Sequence, residues 1–313
     1  MMNKKNLPQL ITVVSFVVLM VLGQACATIS QEVLNAASID DLTRLRDKFA
    51  WLDAKAESGG NYVVEVYEDS SLGSMSTYAV FLSYKGRSNI TVTLRGVGGR
   101  RTITTYQKGG IFVVDSGVTF ILDENIQLQG VSRGNAIDKL NSVVHVNPGG
   151  TFIMNDGSGI ADNMSYQNGG GVYVANDGTF LMKGGVIERN YCYQIQDQAL
   201  VMSTGGRSNT FAETPRRGGG VYVSVGGTFT KTGGTITGYA SDPRNGNTTR
   251  TFNNLEVSRN NGHAVFAALG RLGTSILGPT VSETGSKRKE TTAGPDVNLH
   301  ISSDGTFSGN WDF

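Results

Sequence analysis

The chain has 313 residues, 42 of them glycine and 6 proline, with charged residues at 17%. Glycine at this frequency without a collagen period marks many tight turns, and the lack of a second compositional regime points to one elongated domain. With 27 basic against 26 acidic side chains, the chain has no electrostatic basis for nucleic-acid binding.

At the N-terminus Lys4 and Lys5 precede an apolar run from Leu10 to Leu22, followed by Gly23-Gln24-Ala25-Cys26-Ala27. A basic start, a short apolar run and a small-residue exit predict a signal peptide over residues 1–25 and an exported protein. The 13 residues from Leu10 to Leu22 fall short of the roughly 20 that a bilayer-spanning helix needs. Two processing routes stay open. Leu22-Gly23-Gln24-Ala25-Cys26 resembles a relaxed lipoprotein signal, which implies lipidation of Cys26 and a membrane anchor in the cell envelope, at the outer membrane or cell surface. Ala25-Cys26-Ala27 equally fits ordinary secretion. Gly23 stands where lipoprotein signals usually carry a larger residue. Cys192 is the other cysteine of the two, so no intramolecular disulfide is expected in the processed chain.

Residues 26–60 read as a tether and a capping helix. Ser38-Ile39-Asp40-Asp41 has the composition of a helix start, and Leu42, Leu45, Phe49 and Leu52 then share one face at three- and four-residue spacing. Ser58-Gly59-Gly60 stops the helix. Such an amphipathic helix ahead of strands alone suits the open end of a coil, where bare edges and core need a cover.

From 61 to 313 the chain reads as strands. Runs rich in Val, Ile, Thr and Tyr lie at Tyr62–Tyr67, Tyr78–Tyr84, Ile90–Leu94 and Thr102–Thr105. From about residue 111 a repeat begins, with five copies of the same internal spacing: Phe112–Phe120, Val144–Phe152, Val172–Phe180, Val221–Phe229 and Leu299–Phe307. Phe120, Phe152 and Phe180 are separated by 32 and 28 residues, about one large coil each. The longer gap to Phe229 is assigned to an inserted loop at 191–217, and a second insertion is placed near 240–251 before a degenerate coil around Val265-Phe266-Ala267. Each unit is too short to bury its own apolar face, so units must stack like on like. The spacing therefore predicts an all-β, right-handed parallel β-helix. Its expected ladders are Phe120/Phe152/Phe180/Phe229/Phe307 pointing inward, Ile160/Ile187/Ile236 in a second row, and a turn ladder of Asn163, Asn190 and Asn260.

The Gly-Gly-Gly-Val-Tyr-Val, Gly-Thr-Phe and Gly-Gly-x-Ile pattern at 169–187 and 218–236 resembles repetitive bacterial surface lipoproteins of the pectin-lyase-like superfamily. The resemblance covers residues 111–313 well and 61–110 loosely. It implies a fold, while its members range from lyases and hydrolases to adhesins.

The residues give chemistry little support. The glycine triplets at 169–171 and 218–220 lack the P-loop lysine and lead into strands, so they read as turns. A calcium-assisted lyase needs carboxylates converging from adjacent coils. Asp177 and Asp304 share a repeat position, but Gly149 and Gly226 fill it in the copies between, which marks a turn. Asp123, Glu124, Asp156 and Asp162 fall out of register. His145 and His300 share a position separated by coils, and His263 belongs to another, so no metal site and no cofactor are expected. Ser286–Glu290 reads as a solvated basic loop. The informative position is outward: Val113, His145, Tyr173, Tyr222, Phe266 and His300 fall in one line up a sheet. Such rings either stack on one another or offer faces to sugars, with Tyr191, Tyr193 and Phe211 of the insertion walling a groove. The expected ligand residues are Tyr173, Tyr222, His145, Tyr191 and Tyr193, the expected partners a carbohydrate and the membrane through Cys26, and no catalytic residue is assigned. The sequence reads as a non-enzymatic exported surface or periplasmic lipoprotein serving adhesion, glycan binding or spacing. The alternative is a polysaccharide lyase or glycoside hydrolase with a cleft beside the inserted loops.

Overall fold

The computed structural model describes residues 44–72, 79–105, 110–131, 141–193, 195–197, 212–214, 216–239, 242–250, 263–268, 270–272, 275–277, 280–283, 300–301 and 307–311. The leader, Cys26, Ser38–Leu42, Asn260 and Ser286–Glu290 lie outside these residues.

The chain enters through helix α1 (Leu45–Lys55), with Asp47 in its first turn and Lys55 in its last, the charge order a helix dipole favours. Leu45, Lys48, Phe49 and Leu52 are its buried face. The Ala56 amide closes on Leu52 O at 2.8 Å, and Arg87 donates to the Ala56 and Asp53 carbonyls, both at 2.6 Å. Phe49 meets the core ring Phe112 at 5.3 Å. The helix therefore plugs the first coil, as the apolar spacing predicts.

Each coil then supplies one strand to each of three walls. The first coil holds β1 (Asn61–Val66), β2 (Ser70–Leu72) and β3 (Val80–Leu82). The second holds β4 (Ile90–Gly96), β5 (Arg101–Thr105) and β6 (Phe112–Val114), and the third β7 (Val118–Leu122), β8 (Ile126–Gln129) and β9 (Val144–Val146). The fourth runs β10 (Thr151–Met154), β11 (Gly159–Ala161), β12 (Met164–Ser165) and β13 (Val172–Val174). The fifth holds β14 (Thr179–Met182), β15 (Val186–Glu188), β16 (Tyr191–Tyr193), the pair β17 (Ile195–Asp197) and β18 (Ala212–Thr214), and β19 (Val221–Val223). The sixth holds β20 (Thr228–Lys231), β21 (Thr235–Ile236), β22 (Thr248–Arg250) and β23 (Val265–Ala267). Beyond it come β24 (Gly270–Leu272), β25 (Ser275–Leu277), β26 (Thr280–Glu283), β27 (His300–Ile301) and β28 (Phe307–Trp311). The first wall is β1-β4-β7-β10-β14-β20-β26, the second β2-β5-β8-β11-β15-β21, and the third runs from β3 through β6, β9, β13 and β19 to β23, all in parallel pairs. This is an all-β parallel β-helix.

Register makes the ladders. Phe120, Phe152, Phe180 and Phe229 pair directly, none exposed, with ring centroids 5.7, 5.0 and 5.0 Å apart. Ile103, Leu128, Ile160, Ile187 and Ile236 form the second row in the same way. The turn before Gly-Thr-Phe puts Gly117, Gly149, Asp177 and Gly226 at φ between 60° and 76°, a left-handed conformation that glycine adopts freely and Asp tolerates. Each amide in that column donates to the carbonyl of the next coil, from Gly117 to Gly149, Gly149 to Asp177 and Asp177 to Gly226. Asp177 is thus a turn residue. In the triplets, a Cβ on Gly170 would fall well inside contact distance of the Gly219 carbonyl oxygen, so close backbone stacking, not phosphate binding, requires glycine there.

The structure departs from the sequence expectations at five places. The first coil includes β2, which lies outside the runs read as strands because Ser70-Ser71-Leu72 has few strand-forming residues. Tyr191–Tyr193 is a regular strand pairing with β12 and β22, and Arg217 O accepts from Gly169 N at 2.9 Å. The insertion therefore lies within 194–215 and includes the antiparallel pair β17–β18. Thr248–Arg250 likewise belongs to the coil, and the region around Val265 is a regular rung paired with Val221. Asn247, not singled out from sequence, follows Asn190 in the ladder, while Asn260 lies outside the described residues. Last, the described residues of the fifth copy form no parallel rung: β28 runs antiparallel to β23 and β27, and the residue paired with Phe229 is Val281, not Phe307.

Candidate functional site: an outward stack of rings on the third wall

Strands β6, β9, β13, β19 and β23 each alternate buried, half-buried, buried. Their middle residues Val113, His145, Tyr173, Tyr222 and Phe266 therefore face outward, and direct pairing puts them in one line. Ring centroids along the line are 4.4 Å apart for His145–Tyr173, 5.3 Å for Tyr173–Tyr222 and 5.7 Å for Tyr222–Phe266, with planes within 21°, 15° and 6° of parallel. The Arg217 guanidinium sits over Phe266 at 4.6 Å and closes the upper end by a cation–π contact. Each interior ring has both faces covered by neighbours. Tyr173 and Tyr222 thus offer solvent their edges and hydroxyls, and the Tyr173 hydroxyl already accepts from Ser224 Oγ at 2.9 Å.

The lower end differs. The neighbour of His145 is Val113, and the next residue in line is Phe81, paired with Val113 and 58% exposed. His300 is not part of the line, since the backbone position paired with Phe266 is Asn310. At the turn that follows, Asn147 Nδ2 donates to Asp115. Burial pulls the His145 pKa below its usual value, against the opposing pull of Asp115 and Asn147, and favours a neutral imidazole. Burial raises the Tyr222 pKa, with Tyr173 adding to the effect and Arg217 opposing it.

Tyr191 and Tyr193 form a second cluster. They lie on β16, in the three-stranded sheet β12-β16-β22 that leaves the coil after the asparagine turn. Tyr191 and Tyr193 meet edge to face at 5.6 Å, Tyr193 contacts Tyr166 at 6.0 Å, and Arg250 lies over Tyr191 at 5.0 Å. The ring contacts among the described residues join these tyrosines to each other and to Tyr166, not to Tyr173 or Tyr222. The expected ligand set therefore divides into His145, Tyr173 and Tyr222 on the wall, and Tyr191 and Tyr193 beside it. Between the two tyrosines Cys192 is fully buried, and burial pushes its thiol well above the usual range, with Arg216 opposing, so it lacks the thiolate character a nucleophile needs.

Several of the described carboxylates are tied to neighbouring coils. Asp123 accepts from Asn155 at 2.9 Å, Arg189 bridges Asp162 and Glu188, and Arg95 pairs with Glu65. Among the described residues no group of three His, Cys, Asp or Glu side chains is placed to hold a metal ion. No described helix is long and apolar enough to cross a membrane. Phe81, Asp115 and Asn147 were not singled out from sequence. The available signal was Val80-Phe81-Leu82, which matches Val-Tyr-Val but is followed by Ser83-Tyr84-Lys85-Gly86 instead of a Gly-Thr-Phe turn. Comparison with family models, curated proteins and solved structures returned no significant match.

Proposed function

We propose that this is an exported, non-enzymatic β-helix of the pectin-lyase-like kind, held at the cell envelope through lipidated Cys26, whose third wall binds glycans. The reading rests above all on the outward ring stack, four aromatic residues in register and half-exposed on a flat parallel wall. A polysaccharide laid along such a wall meets a rigid, pre-ordered surface with little conformational entropy left to lose. Hydroxyl edges of the tyrosines and the turn residues Asp115, Asn147 and Ser224 supply hydrogen-bond partners beside the rings.

The test is a polysaccharide array run beside a degradation screen on the purified protein. Binding without turnover supports the reading, and turnover replaces it with the enzymatic alternative. Neither binding nor turnover leaves a spacer. The anchor is checked separately: the exported protein should partition into detergent, and Cys26→Ser should release it.

A further inference from the structure

The ring stack is interrupted at one rung. From His145 to Phe266 every position carries a ring, and so does Phe81, but the position between Phe81 and His145 is Val113. Neighbouring parallel strands lie about 4.7–4.9 Å apart, so Phe81 and His145 stand on strands about 9.5 Å apart with only an isopropyl group between them. One face of His145 is covered by Tyr173 at 4.4 Å. The other looks over Val113, and Phe81, 58% exposed, has no ring partner among the described residues. Halfway between the two, an inserted ring would sit at the spacing the stack already uses, 4.4 to 5.7 Å.

One end of this slot is polar. The turn position that follows the row is Ser83 in the first coil, Asp115 in the second and Asn147 in the third, fixed by the amides of Asp115 and Asn147 on the carbonyls of Leu82 and Val114 at 3.1 and 2.9 Å. Asn147 Nδ2 bonds one oxygen of the Asp115 carboxylate, which keeps further acceptor capacity for a guest. A site with two ring walls, an aliphatic floor and a carboxylate at the edge suits a guest that is apolar on both faces and hydroxylated around its rim. A pyranose whose hydroxyls are all equatorial meets that description, since both of its faces carry only C–H. An axial hydroxyl would bury an unpaired polar group against one wall.

We propose that the slot bounded by Phe81, Val113 and His145 binds one gluco- or xylo-configured pyranose unit of a glycan, with Asp115 and Asn147 holding its rim hydroxyls. This rests on the glycan-binding reading and names its subsite and sugar class. The test is calorimetry of the purified protein with cellohexaose, xylohexaose and a galacto-configured hexasaccharide. Binding of at least one of the first two, with the galacto probe at least tenfold weaker, is expected. Val113→Phe completes the stack and blocks the slot, so binding should fall at least tenfold while the unfolding temperature is kept or raised. Phe81→Ala removes one wall from an exposed position and should also weaken binding at least tenfold. Ile153→Ala, on the outward side of the first wall, should not. Unchanged affinity in Val113→Phe and Phe81→Ala overturns the slot and leaves the glycan-binding reading in place, whereas a wild-type protein that binds nothing on the polysaccharide array overturns both. If Val113→Phe fails to fold, Phe81→Ala alone decides.

Discussion

Two stacks of rings climb this coil at nearly the same pitch, one inside the first wall and one outside the third. The inner stack, Phe120 to Phe229, is wholly buried with centroids 5.0 to 5.7 Å apart. The outer stack, His145 to Phe266, is half-buried at 4.4 to 5.7 Å. Spacing is therefore set by the strand repeat and is indifferent to which side of the wall a residue faces. What differs is the environment. An interior rung left small opens a void with no partner atoms, whereas an exterior rung left small opens a slot that solvent or ligand can fill. The inner row is uninterrupted from Phe120 to Phe229, while the outer row is interrupted at Val113.

Truncation separates the two stacks most sharply. Phe180→Ala, in mid-row inside, should cost about 3–5 kcal/mol in denaturant unfolding, because two neighbouring coils cannot close over the hole. If it costs no more than the same change in the outer row, burial is not what distinguishes them.

The next effect is on pH. His263 is 4% exposed, with the Thr249 amide donating to its Nδ1 at 3.2 Å and the Tyr239 ring 5.6 Å away, and burial lowers its pKa to about 4. A histidine depressed on folding is stabilising above the unfolded value near 6.5 and loses that contribution as pH falls toward 4. The full loss amounts to about 3 kcal/mol by the conversion of pKa shift to free energy. His145, also depressed by burial, acts in the same direction. Thermal unfolding followed from pH 7 to 4 should show the decline, and His263→Asn, which keeps an acceptor near Nδ1, should flatten it. An unchanged slope in that variant would move the effect elsewhere.

Asn190→Ala tests the turn that leads off the coil. Asn190 is fully buried, its Nδ2 donates to Ile160 O, Glu188 O and Asn247 Oδ1, and its Oδ1 accepts from the Asn163 amide. Removing it leaves buried polar groups unpaired and should cost about 2–3 kcal/mol. Asn190→Asp, which keeps the acceptor but not the donors, should recover only part.

The smallest effect is outside. Tyr222→Ala loses two stacking contacts, each about 0.5–1.5 kcal/mol, but leaves no closed cavity, so about 1–2 kcal/mol is expected. Circular dichroism of the sheet should not change. A loss equal to that of Phe180→Ala would mean that the outer row is as structural as the inner one.

Much of this was legible because a stacked coil repeats its local rules. The spacing Val-x-Val-x-x-Gly-Thr-Phe encodes strand, turn and strand, and like residues must meet when copies stack, so the Phe and Ile rows and the outward line followed without coordinates. The apolar face of Leu45, Phe49 and Leu52 likewise announced the cap. Where the repeat degenerates, spacing stops being informative. Asn247 and Asn260 both follow the same long gap, and only the backbone path decides which one reaches the Asn190 amide. The spacing assigns Tyr191–Tyr193 to a loop, since its pairing partners, Met164–Ser165 and Thr248–Arg250, share no side-chain pattern with it.

The sequence by itself determined the period, the inward and outward faces and the residue types in each row, because these depend only on alternation and on copies meeting their like. Tertiary structure decided which ring faces remain open. That depends on the neighbour one coil away: Arg217 folding back over Phe266, Tyr173 covering one side of His145, and Val113 leaving the other side bare. Such contacts join residues 28 to 49 positions apart, and their geometry is set by the stacked backbone and not by any local pattern in the chain.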